Sequence, residues 1–342
     1  MKRVLFLSNM GPSKEKPNSG RFVKNQYDFL QEKGNYEIEY FYLSQDVKRG
    51  LLKLLRYPLF AIRFLLKYVF GKKIDIIHVH FFFPTVFLAI AYKLFRNPRV
   101  AIISTFHGSD VYHYSPPNWS YRFACRFVNH AIFVSKSLKN RFVENIEFTG
   151  STSILSAGIL PIFMMNREVV KKYDFVFVGH MNFNKGVDRL QKITNKQLKI
   201  AIVGEQDTSQ PILRDGNIAF DFLGVLEPSA LTEVYNQSKF FINLSRNESF
   251  GLVIAEAMSC GLPVIATDTD GAREQVKHDH NGFLLCNDDN WLNAHGAQKL
   301  QECLLLSDSD YRRLSFSAIE SAQKYKLDSI ACEVEKIYKL HT

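Results

Sequence analysis

The stretch from Phe240 to Glu274 limits the fold more than any other. Phe240 to Ser245 (FFINLS) is a short apolar run bounded by polar residues, the pattern of a buried strand. Arg246 to Ser249 is a polar turn. Gly251 to Met258 is compatible with a helix, Gly261 stops it, and Pro263 opens a second buried strand, VIATD. Strand, turn, helix and strand in succession call for a parallel sheet with helices on its faces. Glu248 then sits in a strand-to-helix loop at the carboxyl end of a strand, where open α/β sheets bind ligands. Glu256, eight residues on, lies inside the helix with its side chain leaning back toward the amino end. Both carboxylates are expected to face one crevice. Between them the N–H groups of Ser249, Phe250, Gly251 and Leu252 form an anion site, and Gly251 allows close approach. Two carboxylates for hydroxyls and a helix end for a phosphate suit a sugar nucleotide. Spacing alone equally allows Glu248 to be a solvated loop residue and Glu256 a helix-surface residue.

The same alternation runs through the chain. VLFLS (4–8), YEIEYFYL (36–43), IDIIHVH (74–80), VAIISTF (100–106) and LKIAIVG (198–204) read as strands separated by helix-compatible segments. After the first strand comes a loop rich in Gly, Pro, Ser and Asn, and Gly20 precedes a helix. That glycine reads as a phosphate approach or as a simple turn. The loop is not G-x-G-x-x-G, so a dinucleotide cofactor is disfavoured. His78 and His80 share a strand face, but no carboxylate or third histidine has matching spacing, so no metal is expected. His107-Gly108-Ser109-Asp110 falls at a strand's carboxyl end, and His107 reads as structural or active.

At 342 residues with 46% hydrophobic content the chain is long enough for two packed domains, and a disordered class is excluded. Cys125, Cys260, Cys286, Cys303 and Cys332 are scattered, with no C-x-x-C, and read as buried thiols of a reducing, cytoplasmic compartment. The apolar run at Val4–Leu7 is too short for a leader, and no spanning helix is found.

Charge is uneven: residues 1–170 carry +13 and residues 171–342 carry −4. Residues 47–73 hold Lys48, Arg49, Lys53, Arg56, Arg63, Lys67, Lys72 and Lys73 and no acid. Arg49, Lys53, Arg56, Arg63 and Lys67 fall on one helical stripe with Phe60 in the gap, and leucines lie around the rest of the wheel. A basic, apolar helix of this kind suits an anionic membrane surface; a buried crossover helix with a solvated stripe is the other reading. Nucleic acid is disfavoured, because no basic groove interleaved with aromatics is evident elsewhere.

ESFGLVIAEAMSCGLPVIATDTDGARE resembles the E-x7-E signature of the family 4 retaining glycosyltransferases (glycosyl transferases group 1), through the Gly-Pro-Val strand to the Gly271–Glu274 turn. The resemblance implies two doubly wound Rossmann-like α/β domains facing a cleft, the GT-B architecture. It gives Glu248 the transferred sugar, Glu256 the nucleotide ribose, Gly20 the donor diphosphate and His107 a place beside the donor sugar. The family has Arg after the first glycine of the 174–187 segment and Lys five residues later, both holding the leaving diphosphate. Lys185 matches; His180 stands where the Arg is expected.

The expected boundaries are 1–168 for the acceptor side and 169–325 for the donor side, with a last helix, about 326–342, returning to the first domain. The implied reaction is metal-independent, retaining transfer from a nucleotide sugar, a UDP- or GDP-sugar used as substrate with no cofactor. The acceptor is a saccharide or lipid-linked saccharide for cell-surface polysaccharide or glycolipid, met at the inner membrane face. An epimerase or phosphorylase on the same fold, or a non-catalytic sugar-nucleotide-binding or membrane-associated partner, remains the alternative.

Overall fold

The computed structural model describes residues 1–44, 46, 51–194, 197–206 and 220–342, with 51–54 by backbone only. Its contacts divide the chain into two compact units, Met1–Gly158 with Leu327–Thr342, and Ile159–Lys326.

In the first unit the elements run β1 (Arg3–Ser8), α1 (Arg21–Lys33), β2 (Glu37–Tyr42), α2 (Leu51–Tyr68), β3 (Ile76–His80) and α3 (Phe82–Phe95). There follow β4 (Ala101–Phe106), α4 (Ser109–Tyr112), α5 (Trp119–Cys125), β5 (His130–Phe133), α6 (Lys136–Asn145) and β6 (Ser151–Ile154). The second unit holds β7 (Tyr173–Val178), α7 (Val187–Ile193), β8 (Ile200–Val203), β9 (Phe220–Gly224), α8 (Pro228–Asn236) and β10 (Ser238–Asn243). It continues with α9 (Leu252–Ser259), β11 (Val264–Thr267), α10 (Asp270–Gln275), β12 (Gly282–Leu285), α11 (Asp289–Leu304) and α12 (Asp308–Ala322). α13 (Leu327–Leu340) belongs to the first unit.

Each unit is built on a six-stranded sheet, in the orders β2-β1-β3-β4-β5-β6 and β12-β11-β10-β7-β8-β9. Every pairing is parallel. Parallel strands covered by helices on both faces must be apolar almost throughout. IIHVH of β3 and VIAT of β11 are accordingly buried at every position. In each order the chain starts mid-sheet and works outward both ways. The switch points fall between β1 and β3 in the first unit and between β7 and β10 in the second, and crevices open at the carboxyl ends of such strands.

The passage between units is at Gly158, ahead of the boundary expected at 168. Residues 159–168 bond within the second unit: Asn166 N–H donates to Asn236 Oδ1 (2.7 Å), and Ser259 Oγ donates to the Phe163 carbonyl (2.7 Å). α13 is tied to the first unit by Asn35 Nδ2, which donates to Glu335 (2.9 Å), and by the Tyr338 hydroxyl, 2.6 Å from His78 Nδ1.

Two sequence expectations change. Cys125, Cys260 and Cys303 are buried, but Cys286 and Cys332 are exposed, because Cys286 follows the end of β12 and Cys332 lies on the face of α13 turned away from its buried residues. The basic stripe of α2 does not simply face solvent. Phe60, Phe64 and Tyr68 are buried against β2, and Phe60 stacks on Phe41 at 4.9 Å. Arg56 donates to the Ser44 carbonyl, and Lys67 pairs with Glu39 at 2.9 Å, an acid that β2 brings to a locally acid-free segment. Lys48 and Arg49, and the side chain of Lys53, lie outside the described residues.

Candidate functional site

At the switch point of the second unit, two loops leave adjacent strands. The loop after β7 carries His180 and Lys185, and the loop after β10 carries Arg246 to Gly251. They are pressed together. Gly186 has φ 74°, and a Cβ there would lie 2.1 Å from the Leu244 carbonyl oxygen, so no side chain fits. The Lys185 chain runs along Gly179, whose added Cβ would touch its Cδ at 3.7 Å. Its ammonium forms an ion pair with Glu248 Oε2. Both groups are partly buried, with side chains 26% and 14% exposed. Lysine and carboxylate thus meet, though they are sixty-three residues apart.

A second set of charges braces these loops. Arg246 grips Asp188 with two bonds, 2.9 and 2.8 Å, and donates to Asp289 at 2.9 Å. Its guanidinium lies 3.5 Å over the Phe183 ring. Arg189, buried, donates to Asp289 (2.6 Å), Asn287 (2.7 Å) and the Leu244 carbonyl (3.0 Å). Burial pushes the Asp188 carboxyl up, but the hydrogen bond and the charge of Arg246 together outweigh this and hold it below the ordinary range. Sequence reading did not single out these residues. Arg246 lies in the motif stretch, but its partners come from α7 and α11, beyond any local spacing.

Gly251, φ 78°, caps α9, and no side chain caps that helix, so its first amides are open to a ligand. A Cβ on Gly251 would press to 2.9 Å from Glu248 Cγ. Leu252 opens the helix and Ser249 is half-buried beside it. Phe250 is buried and packs edge-on against Tyr325 at 5.2 Å, so only its backbone is available to a ligand. The Glu248 carbonyl accepts from Gly271 N–H at 2.8 Å, which ties the loop to the Gly271 turn. Glu256 accepts from the Tyr235 hydroxyl at 3.3 Å. Burial raises its carboxyl to about 7, partly offset by that bond. The two carboxylates therefore have separate partners, Lys185 for Glu248 and Tyr235 for Glu256. His180 is half-exposed, and its Nδ1 lies 3.8 Å from Glu205 Oε2.

In the first unit Gly20 caps α1 with φ 62°, at the carboxyl end of β1. His107 follows β4. Its backbone N–H, with those of Gly108 and Phe82, donates to the buried Asp110 carboxylate at 3.0–3.3 Å. Burial lifts Asp110 to about 6, against the pull of those three amides. The His107 ring sits among Phe22 (5.0 Å), Phe81 (4.7 Å) and His80. His78 is satisfied on both nitrogens, by Tyr338 and by Thr105. Among the described residues no group of three His, Cys, Asp or Glu could hold a metal ion.

Two family models match the chain, each inside one unit. Glycosyltransferase Family 4 covers residues 26–159, and Glycosyl transferases group 1 covers 162–311. The N-acetyl-alpha-D-glucosaminyl L-malate synthase of Bacillus anthracis is 28% identical over 294 residues, 78% of this chain and 75% of that protein. An uncharacterized glycosyltransferase of Methanocaldococcus jannaschii is 26% identical over 79% of this chain and 76% of its own length. Among solved structures, sucrose-phosphate synthase of Thermosynechococcus elongatus superposes with a TM-score of 0.76 at 16% identity, covering 99% of both chains. Anabaena HepE in complex with UDP-glucose gives 0.71 at 16% identity, over 99% of this chain and 100% of that one. At that identity the likeness speaks for the fold.

Proposed function

Because the chain belongs to the family 4 glycosyltransferases, with the GT-B architecture, we propose that it moves a sugar from a uridine diphosphate sugar to an acceptor hydroxyl, with retention at the anomeric carbon. The observation that carries this reading is the Lys185–Glu248 pair beside the open end of α9. When the anomeric C–O bond breaks, its electron pair goes to the departing diphosphate. A fixed cation and helix N–H groups stabilise that growing charge. Lys185 supplies the cation on release from Glu248, and Glu248 turns to a hydroxyl of the transferred sugar. Glu256 takes the ribose and His180 the diphosphate. For Gly20 the family resemblance implies the diphosphate, and for His107 the sugar. A uridine base is favoured by HepE, solved with UDP-glucose. No protein nucleophile or metal is assigned a part.

The test is a thermal-shift panel of UDP- and GDP-sugars, since a ligand that binds only the folded state raises its stability. The donor that stabilises is then turned over with acceptor, and the anomeric configuration of the product is read by NMR. A panel without any stabilising sugar nucleotide, or an inverted product, overturns the reading.

The acceptor is proposed to be lipid-linked, presented at an anionic membrane surface. No helix among the described residues is long and apolar enough to cross a membrane. α2 nevertheless turns Leu55, Leu59, Ile62 and Leu66 outward, 43–63% exposed. Phe70, just beyond its end, and Phe95, at the end of α3, are 81% and 77% exposed. Arg96 donates to the Gly71 carbonyl at 3.0 Å, which draws those two ends together. A cavity of about 510 Å³ opens between β2 and this helix, lined by Tyr40, Tyr42, Leu59, Phe60, Arg56 and Arg63 among others. Apolar burial flanked by cations is what holds a helix in an interface. Co-sedimentation with phosphatidylserine-containing vesicles at low and high salt tests it. Protein that stays in the supernatant at low salt leaves only a soluble acceptor.

A further inference from the structure

Three histidines stack at the carboxyl ends of β3 and β4. The ring of His80 lies 4.2 Å from that of His78 and 5.5 Å from that of His107. Nδ1 of His80 is 3.2 Å from Nε2 of His107. Burial holds His107 at about 3 and His80 well below the ordinary value, so both rings are neutral near pH 7. A neutral imidazole carries one N–H, so one ring donates in this contact and the other accepts.

The far nitrogen of His80 decides which. Its Nε2 is buried and has no hydrogen-bond partner. Its ring packs against those of His78 at 4.2 Å and Phe6 at 4.9 Å, which offer no hydrogen-bond acceptor to that nitrogen. If His107 donated, His80 would carry its proton on Nε2 and bury an N–H with nothing to accept it. If His80 donates from Nδ1, only a lone pair is left bare. Orphaned buried donors are rarer than under-used acceptors, because an unmade donor bond keeps the full desolvation penalty.

We propose that His80 is a positioning residue that fixes the His107 ring as its Nδ1–H tautomer, so that His107 meets its ligand as a hydrogen-bond donor. Nε2 of His107 is occupied by accepting from His80. Nδ1 makes no hydrogen bond among the described residues, and Phe22 and Phe81 flank the ring. The group it recognises is an oxygen with a free lone pair, such as a sugar hydroxyl held as acceptor. That ligand rests on the function proposed above; the tautomer does not.

The test is therefore made without substrate. Long-range 1H–15N spectra of 15N-histidine-labelled protein distinguish a protonated from a bare ring nitrogen. The His107 signal is identified by its loss in His107→Gln. The wild type should show His107 with protonated Nδ1 and bare Nε2. His80→Asn, whose amide can donate from near the same position, should keep that pattern. His80→Leu should shift His107 toward Nε2–H. A wild-type His107 protonated on Nε2 overturns the proposal, and that measurement needs no variant to fold. A folded His80→Leu protein that keeps Nδ1–H also overturns it, since His80 would then only pack. Catalytic assays of the same variants are read separately. A correct tautomer with no sugar-nucleotide turnover leaves this inference standing and removes the proposed function.

Discussion

Replacing Glu248 by Gln should stop turnover and at the same time tighten the binding of uridine diphosphate. Without ligand, Lys185 is held by the Glu248 carboxylate. A phosphate that needs the same ammonium must first displace that carboxylate. Unit charges about 4 Å apart attract by roughly 4 kcal/mol at an effective dielectric of about 20. Desolvation and side-chain ordering take back most of this, leaving a net of roughly 1 kcal/mol for a partly exposed pair. Gln keeps the shape and removes the competing charge. Since 1.4 kcal/mol is tenfold in affinity, the dissociation constant for uridine diphosphate should fall by about fivefold. Lys185→Ala should weaken the same binding by about tenfold or more, because a charge-assisted contact is lost outright. Isothermal titration of all three proteins with uridine diphosphate, at low and high salt, measures this, and the gain in Glu248→Gln should shrink with salt. If Lys185→Ala weakens binding but Glu248→Gln binds no better than wild type, the carboxylate is not competing for the lysine and the reasoning fails.

Three further outcomes follow from named contacts. Glu256 holds its proton to about 7 in the fold, against 4.5 as its ordinary value. The raised value contributes stability below pH ~4.5 that is lost as pH rises through about 7, at most ~3 kcal/mol. Urea midpoints at pH 5, 6 and 8 should therefore slope downward in the wild type and flatten in Glu256→Gln; parallel slopes would show the carboxyl to be unperturbed. Asp110→Ala leaves the amides of Phe82, His107 and Gly108 without their acceptor and should cost about 2–4 kcal/mol, whereas Asp110→Asn keeps one acceptor oxygen and should cost less, both by urea unfolding. Arg246→Ala should cost about 2–4 kcal/mol by leaving Asp188 unpaired, and Arg246→Lys should not restore it, because a single ammonium cannot make the two-bond grip. Equal stability of the lysine variant and wild type would refute that geometry.

Much of this protein is legible in its residue order. Apolar runs such as VLFLS and FFINLS alternate with helix-compatible segments, and that alternation specifies parallel sheets and places Gly20, His107, Lys185 and Glu248 in loops after strands. These are local properties, set by periodicity and by where glycine and polar residues interrupt it. The segment 243–274 also carries the family resemblance, and it lies inside the residues that the Glycosyl transferases group 1 model matches. Periodicity says which face of an element is apolar but not what that face will meet. Only the tertiary structure set the strand orders, and with them the switch points that bring the β7 and β10 loops side by side. It alone joined Lys185 to Glu248, Arg246 to Asp188 and Asp289, and His80 to His107. It also gave Arg56 and Lys67 partners in Ser44 and Glu39 while leaving the leucines of α2 exposed, against the simplest reading of a charged stripe. Each of these contacts joins residues that sequence spacing does not place together, and sheet order and helix rotation bring them within bonding distance.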